Sequence, residues 1–242
     1  MPLTAVILAA GAGSRLGELG RQYSKAMVPI AGQPLLGWVI ARLRDAGVES
    51  FIVVAHPTDA RREAFLRTVH PQAIVVQQRE RRGIADALCQ ALPTLGDEPA
   101  YLACACDSLF LPADMARVIA RGRSRVGVAV IGVLDMGVAA TASRSAVQVA
   151  GERVTEIVEK PAPGSTASSL VGMPLYWLPR TLGPYLENVA PLGSERFVST
   201  ALNAFIKDGG VVEAVQVRER LEITTAADVR RVGAVLQGAT TR

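Results

Sequence analysis

The chain has 242 residues, half of them apolar and 20% charged, which excludes a disordered chain and suits one large domain or two small ones. Its 26 basic and 22 acidic residues leave a net charge of +4. The excess is arginine in short clusters at 61–62, 79–82 and 121–125, none long enough for a nucleic-acid arm, and a modest positive balance suits an anionic small substrate. Aromatic residues, at 5%, are too sparse for a stacking platform on single-stranded nucleic acid. No apolar run approaches about 20 residues, so no membrane partner is expected. The opening Met-Pro-Leu-Thr has no basic n-region, which makes a cytoplasmic protein the expectation. Three cysteines (Cys89, Cys104, Cys106) without a CxxC pair, and two histidines, suggest neither a disulfide framework nor a zinc site. His56 and His70, each before a proline, read as element boundaries rather than general bases.

The first strand is Thr4–Leu8, short, apolar and β-branched, running into Ala9-Ala10-Gly11-Ala12-Gly13. A turn at Pro29-Ile30-Ala31-Gly32-Gln33-Pro34 precedes a helix whose Leu35, Trp38, Val39 and Leu43 share one face. Further strands are expected at 51–55, 73–77, 101–105 and 126–133, alternating with helices at 59–69, 83–92 (ended by Pro93) and 113–121. This alternation predicts a parallel sheet covered on both faces. The second half changes character. Strands at 146–150 and 154–159 flank Gly151-Glu152, a hairpin signal. A Pro/Gly/Ser loop follows at 161–169, then a strand at 175–178, a helix carrying Phe197 to Ile206, a strand at 211–217 and a helix at 226–236. No repeat or low-complexity linker divides the chain. The expectation is one domain over 1–242, with a nucleotide half at about 1–110 and an acceptor half at about 111–242, and no appended C-terminal domain.

Gly11-Ala12-Gly13-Ser14-Arg15-Leu16 follows the first strand directly, and glycines there let the backbone approach an anion. A dinucleotide fingerprint would need Gly at Leu16, a Walker A loop is absent, and a G-x-S-x-G elbow fails at Ala12 and Leu16. What remains is a strand, a glycine loop, Arg15, and Lys25 ten residues later: amide donors beside two cations, suited to a triphosphate.

The run AVILAAGAGSRLGELGRQYSKAMVPIAGQP at 5–34 resembles the signature of the sugar-phosphate nucleotidyltransferases, L-A-A-G-x-G-[ST]-R-[LM] followed by P-K-x-[ML]-x-P-[VI]-x-G-[KR]-P. Weaker matches continue in order to Asp228. The resemblance implies a three-layer α/β/α Rossmann-like (GT-A-like) fold with a mixed, mainly parallel central sheet. It implies nucleotide contacts from Leu8, Ala10, Gly11, Gly13, Ser14, Arg15 and Lys25. Gln78 and Gly83 match its Q-x4-G element, where a side-chain amide and a backbone amide read a pyrimidine edge. Asp107, after the strand at 101–105, matches the carboxylate that holds Mg²⁺, with Cys106 in place of the usual Gly. Glu159-Lys160-Pro161 matches E-K-P, which implies that Glu159 binds sugar hydroxyls and Lys160 the sugar phosphate. Val171, Gly172 and Tyr176 fall on the sugar-side strand, with Pro174 where Gly is usual. Leu221 to Asp228 resembles W-x-D-[IT]-G-T-x-x-[DS]. Aligned on Thr225 and Asp228, it puts Glu222 at the second metal carboxylate and lacks the usual Trp and Gly. Thr225 reads equally as a helix N-cap.

The resemblance thus implies a Mg²⁺-dependent transfer of a nucleotidyl group from a nucleoside triphosphate to a sugar or polyol 1-phosphate, with Arg15, Lys25, Asp107 and Lys160 as the catalytic set. Relatives often form dimers or tetramers, which extends the expectation to a homo-oligomer. The alternative is a catalytically silent relative that binds nucleotide or sugar phosphate and regulates a partner, a reading suited by Cys106, Pro174 and Glu222. A glycosyltransferase is disfavoured, because Asp107-Ser108-Leu109 is not a D-x-D motif.

Overall fold

A computed structural model describes residues 2–57 and 59–240; Met1 and Arg242, the expected outer limits of the domain, lie outside the described residues. Among the described residues nine strands form one central sheet. They are β1 (Thr4–Leu8), β2 (Ser50–Ala55), β3 (Ile74–Gln77), β4 (Ala100–Ala105), β5 (Ala129–Asp135), β6 (Ser145–Ala150), β7 (Arg153–Glu159), β8 (Leu170–Pro179) and β9 (Val212–Gln216). The order is β3-β2-β1-β4-β8-β5-β9-β7-β6. The first four strands run parallel, linked by α1 (Leu35–Asp45), α2 (Ala60–Val69) and α3 (Ile84–Ala91). β8 pairs antiparallel with both β4 and β5, and β6 and β7 form the expected antiparallel hairpin. The sheet is mixed and mainly parallel, and it runs without a break through both halves of the chain.

Strand periodicity sends alternate side chains to opposite faces. On one face Ala5, Ile7, Leu102 and Cys104 pack with α1, with α4 (Pro112–Arg123) and with α6 (Ala226–Thr240). On the other, Val6, Tyr101, Ala103 and Tyr176 pack with α3 and α5 (Val198–Lys207). These are the two core layers of the three-layer architecture. Cys104 and Cys106 are buried together in the first, and burial pushes the Cys104 thiol up to about 12.

Three elements depart from expectation. β8 is ten residues long, not four. Its register slips between Gly172 and Tyr176, and Pro174, which cannot donate to a ladder, sits in that bulge. The alternation survives it: Val171, Met173, Leu175 and Trp177 all pack into the first core layer. The α-helix before Pro93 ends at Ala91 as expected, but the chain goes on as a 3-10 turn, Leu92–Leu95, with the proline in its first turn where a missing N–H is harmless. A two-stranded ribbon, Ser108–Phe110 with Arg220–Glu222, goes unseen in the sequence because each strand has only three residues.

Candidate active site

β1 stops at Leu8 and the chain turns through the glycine loop. Gly13 sits at φ +66°, and a Cβ there would meet Leu16 Cδ1 at 3.0 Å. Ser14–Leu16 then makes one 3-10 turn that buries Leu16 and leaves Arg15 exposed. Arg15 has no hydrogen-bond or ion-pair partner among the described residues. The next turn, Lys25–Met27, anchors itself by burying Ala26 and Met27. That aims Lys25 Nζ at Asp107 Oδ2, 2.6 Å away.

Asp107 lies just beyond the carboxyl end of β4, where ligands gather in open α/β sheets. Ser108 Oγ donates to its Oδ1 at 3.0 Å, and Ile223 N donates to its backbone carbonyl at 2.9 Å. Burial works to raise its carboxyl. The charge and hydrogen bond of Lys25, the charge of Arg220 and the Ser108 hydrogen bond outweigh burial and hold it below the ordinary carboxylate range.

These groups border a hollow of about 580 Å³. The structure brings Leu8, Ala10, Gly11, Gly13, Ser14, Arg15, Lys25, Gln78, Gly83 and Asp107 together around it. Gln78 is buried, and its Nε2 donates to the Gly83 carbonyl at 3.1 Å and to Asp86 Oδ2 at 2.8 Å. In this arrangement the amide nitrogen is already used within the protein. Gly83 has φ +93°, and a Cβ there would come within 2.6 Å of the Arg196 carbonyl oxygen. Glycine therefore lets the segment before α5 close against the start of α3.

A second hollow, of about 210 Å³, adjoins the first and shares Ile84, Pro174 and Phe197 with it. Glu159, Gly172 and Tyr176 line it. Glu159 Oε1 accepts a hydrogen bond from Ser199 Oγ at 2.6 Å. Burial nonetheless raises the Glu159 carboxyl above its ordinary value, against the opposing effects of that bond and of Lys160. Lys160 adopts a left-handed φ of +44°, unusual for a residue with a side chain. Its Nζ lies 5.9 Å from the ring centre of Phe197, a residue the two hollows share, while Lys160 itself lines neither. Val171 is buried in the core of the opposite sheet face and lines neither hollow.

Glu222 also lines neither hollow. Its carboxylate pairs with Arg144 Nη2 at 3.0 Å and with Arg220 Nη2 at 3.2 Å. No three metal-ligating side chains gather among the described residues. Asp107, though paired with Lys25, borders the hollow and fits a magnesium ion carried in by a triphosphate; Glu222 is held by two arginines and lines neither hollow, which does not fit it as a second ligand.

Two arginines at the first hollow are missed by sequence reasoning. Arg81 Nε donates to the Ala10 carbonyl at 2.9 Å, strapping the glycine loop from within the Gln78–Gly83 element. Its place inside that element was the available signal, hidden by the look of an exposed charge cluster. Arg220 lines the hollow from the unforeseen ribbon. Burial lowers its guanidinium from the ordinary value, against the opposing charges of Glu222 and Asp107.

Comparison with known proteins agrees with this geometry. The chain is 28% identical to the UTP–glucose-1-phosphate uridylyltransferase AglF of Haloferax volcanii, over 99% of both chains. It is 26% identical to UTP–glucose-1-phosphate uridylyltransferase 2 of Staphylococcus saprophyticus, over 75% of this chain and 73% of that one. The fold matches a UTP-bound UGPase from Acinetobacter baumannii with a TM-score of 0.83 and 23% identity, over 98% of this chain and 93% of that one. The model of the MobA-like NTP transferase domain matches residues 5–207. The sugar-phosphate nucleotidyltransferase resemblance read from the opening motif stands, and the chain belongs to the MobA-like NTP transferase family.

Proposed function

We propose that the protein transfers a nucleotidyl group from a nucleoside triphosphate to a sugar 1-phosphate, giving an NDP-sugar and pyrophosphate, with UTP and glucose 1-phosphate as the first pair to test. The observation that carries this reading is the joining of two hollows, one bordered by the glycine loop, Arg15, Lys25 and Asp107, the other by Glu159 and Tyr176. The full-length likeness to a uridylyltransferase supports the same pair.

A phosphate oxygen of the acceptor attacks the α-phosphorus. A new P–O bond forms, the bond to the β-phosphate bridging oxygen breaks, and its electron pair leaves with pyrophosphate. A sugar phosphate is largely a dianion near neutral pH, so no general base is required. The protein's work is to bring two anions together and neutralise them. Arg15, free of any protein partner among the described residues, takes the β- and γ-phosphates and the departing pyrophosphate. Lys25 supplies positive charge at the α-phosphate. Asp107 would hold a magnesium ion, which supplies further neutralisation of the phosphate oxygens. Glu159 orients sugar hydroxyls, and Lys160, beside Phe197, meets the acceptor phosphate.

The test is pyrophosphate release with five nucleoside triphosphates crossed against sugar and polyol 1-phosphates. Release above the no-acceptor control, strongest with UTP and glucose 1-phosphate, is expected. Triphosphate binding by calorimetry without release from any pair would favour a regulatory binder. Absence of binding would overturn the phosphate-loop assignment.

A further inference from the structure

Arg220 has a setting that the transfer chemistry described so far does not use. Its side chain is only 10% exposed, yet it lines the nucleotide hollow. Two contacts fix the guanidinium: Nε donates to Ser108 Oγ at 2.9 Å, and Nη2 pairs with Glu222 at 3.2 Å. Nη1 has no hydrogen-bond partner among the described residues and is not among their buried unpaired atoms. Glu222 is shared with Arg144, so two guanidinium groups face one carboxylate and the cluster keeps a surplus positive charge. A buried, pre-oriented guanidinium with free N–H groups is a geometry matched to a phosphate.

Position decides which phosphate. Arg15 and Lys25 hold the glycine-loop side of the hollow. Arg220 approaches from the ribbon, and through Glu222 it is joined to Arg144, whose carbonyl accepts a hydrogen bond from Lys160 N at 2.8 Å. It therefore stands on the Lys160 side of the nucleotide hollow. In the aligned motif it occupies the place of the usual Trp, two residues before the position of the second metal carboxylate. The same motif has thus exchanged a ring for a cation, and the carboxylate beside it is spent on holding that cation.

We infer that Arg220 binds the phosphate of the acceptor directly, with Ser108 and Glu222 as positioning residues for its guanidinium, so that a fixed side-chain cation stands where a second metal ligand was expected. This rests on the transferase reading for the identity of the acceptor, but the phosphate site itself does not depend on turnover.

The decisive experiment measures binding in the presence of a chelator, with inorganic phosphate and glucose 1-phosphate as probes and calorimetry as the readout. The wild-type protein should bind both without metal. Arg220→Gln should weaken both by about 10- to 100-fold, the loss expected for charge-assisted hydrogen bonds to a phosphate, while UTP affinity stays within about twofold of wild type, as for a separate set of contacts. Arg220→Lys should recover only part of the loss, because a point charge does not reproduce the planar fork. Glu222→Gln keeps the shape but frees both arginines. It should shift the salt dependence of phosphate binding and leave the melting temperature close to wild type, a readout that a merely structural role would not move. In turnover assays the KM for the acceptor should rise in Arg220→Gln with the KM for UTP unchanged. Phosphate binding by Arg220→Gln equal to wild type, or no metal-free phosphate binding by the wild type, overturns the inference. A wild-type protein that binds phosphate but releases no pyrophosphate with any pair overturns the transferase reading and leaves the site standing.

Discussion

The two ends of the site are built by different means. At the nucleotide end the glycine loop and its two cations come from one stretch, 11–25, with Gln78, Gly83 and Asp107 added from other elements, and Arg15 has no partner among the described residues. At the acceptor end the surface is a side-chain network drawn from distant segments. Glu159 is held by Ser199, and Arg144 and Arg220 converge on Glu222. A triphosphate is the same in every nucleotide, so a short stiff loop can serve it whatever the acceptor. An acceptor is read by its particular hydroxyls and phosphate, and that takes several elements to arrange.

The contrast breaks most sharply at Arg15 and Lys25. Arg15→Ala removes a cation with no partner among the described residues, so pyrophosphate release should fall by about 10²–10³ in kcat/KM with no change in melting temperature. Lys25→Ala should lose as much turnover and some stability besides, since Asp107 is left without its 2.6 Å partner. If both variants lost activity only in proportion to lost stability, the two cations would be structural and the nucleotide end would be misplaced.

At the acceptor end the expected effects are smaller and split differently. Burial raises the Glu159 carboxyl, so the folded protein binds a proton there more readily than the unfolded chain does. Ionised Glu159 then opposes folding, and its unfavourable contribution grows as pH rises through the raised value. Glu159→Gln keeps an oxygen for the Ser199 hydroxyl and removes the charge. It should raise the melting temperature at pH 8, with the gain shrinking as pH is lowered towards the carboxylate range, while the KM for glucose 1-phosphate rises about tenfold, the usual loss for a hydrogen bond to a charged group. The KM for UTP should not move. A stabilised variant with unchanged acceptor KM would remove Glu159 from the acceptor site.

The same contrast explains what the sequence made legible. The glycine loop, Arg15 and Lys25 lie in one run whose spacing is itself the geometry, and Thr4–Leu8 before it is a buried strand by composition alone. The parallel half of the sheet follows from apolar runs alternating with helical periodicity. Asp107 could be placed because it ends one of those runs. Arg220 could not, because its position depends on a three-residue strand pairing across more than a hundred residues of chain, a pairing that no local pattern encodes. Val171, by contrast, follows plain strand alternation: it shares the face of Met173, Leu175 and Trp177, opposite Tyr176, so its place off the acceptor hollow could have been counted from the sequence.

The smallest expected effect lies where the acceptor network is fastened down. Thr225 and Asp228 cap α6 reciprocally: Asp228 Oδ2 accepts from Thr225 N at 2.8 Å and from Thr224 N at 3.1 Å, and Asp228 N donates to Thr225 Oγ1 at 3.3 Å. Burial acts to raise the Asp228 carboxyl, but the bonds from Thr225, Thr224 and Arg231 prevail and bring it down to about 2. The stabilisation this gives is complete above the ordinary aspartate value and is lost as pH falls through about 2. Thr225→Ala should cost about 1 kcal/mol, or about 2–4 °C in melting temperature for a chain this long. Because the cap follows directly on Glu222 and Thr224, loosening it should raise the acceptor KM slightly and leave the UTP KM alone. An equal rise in both would mean that the ribbon and α6 steady the whole site, and the division between the two ends would then be one of sequence origin rather than of mechanics.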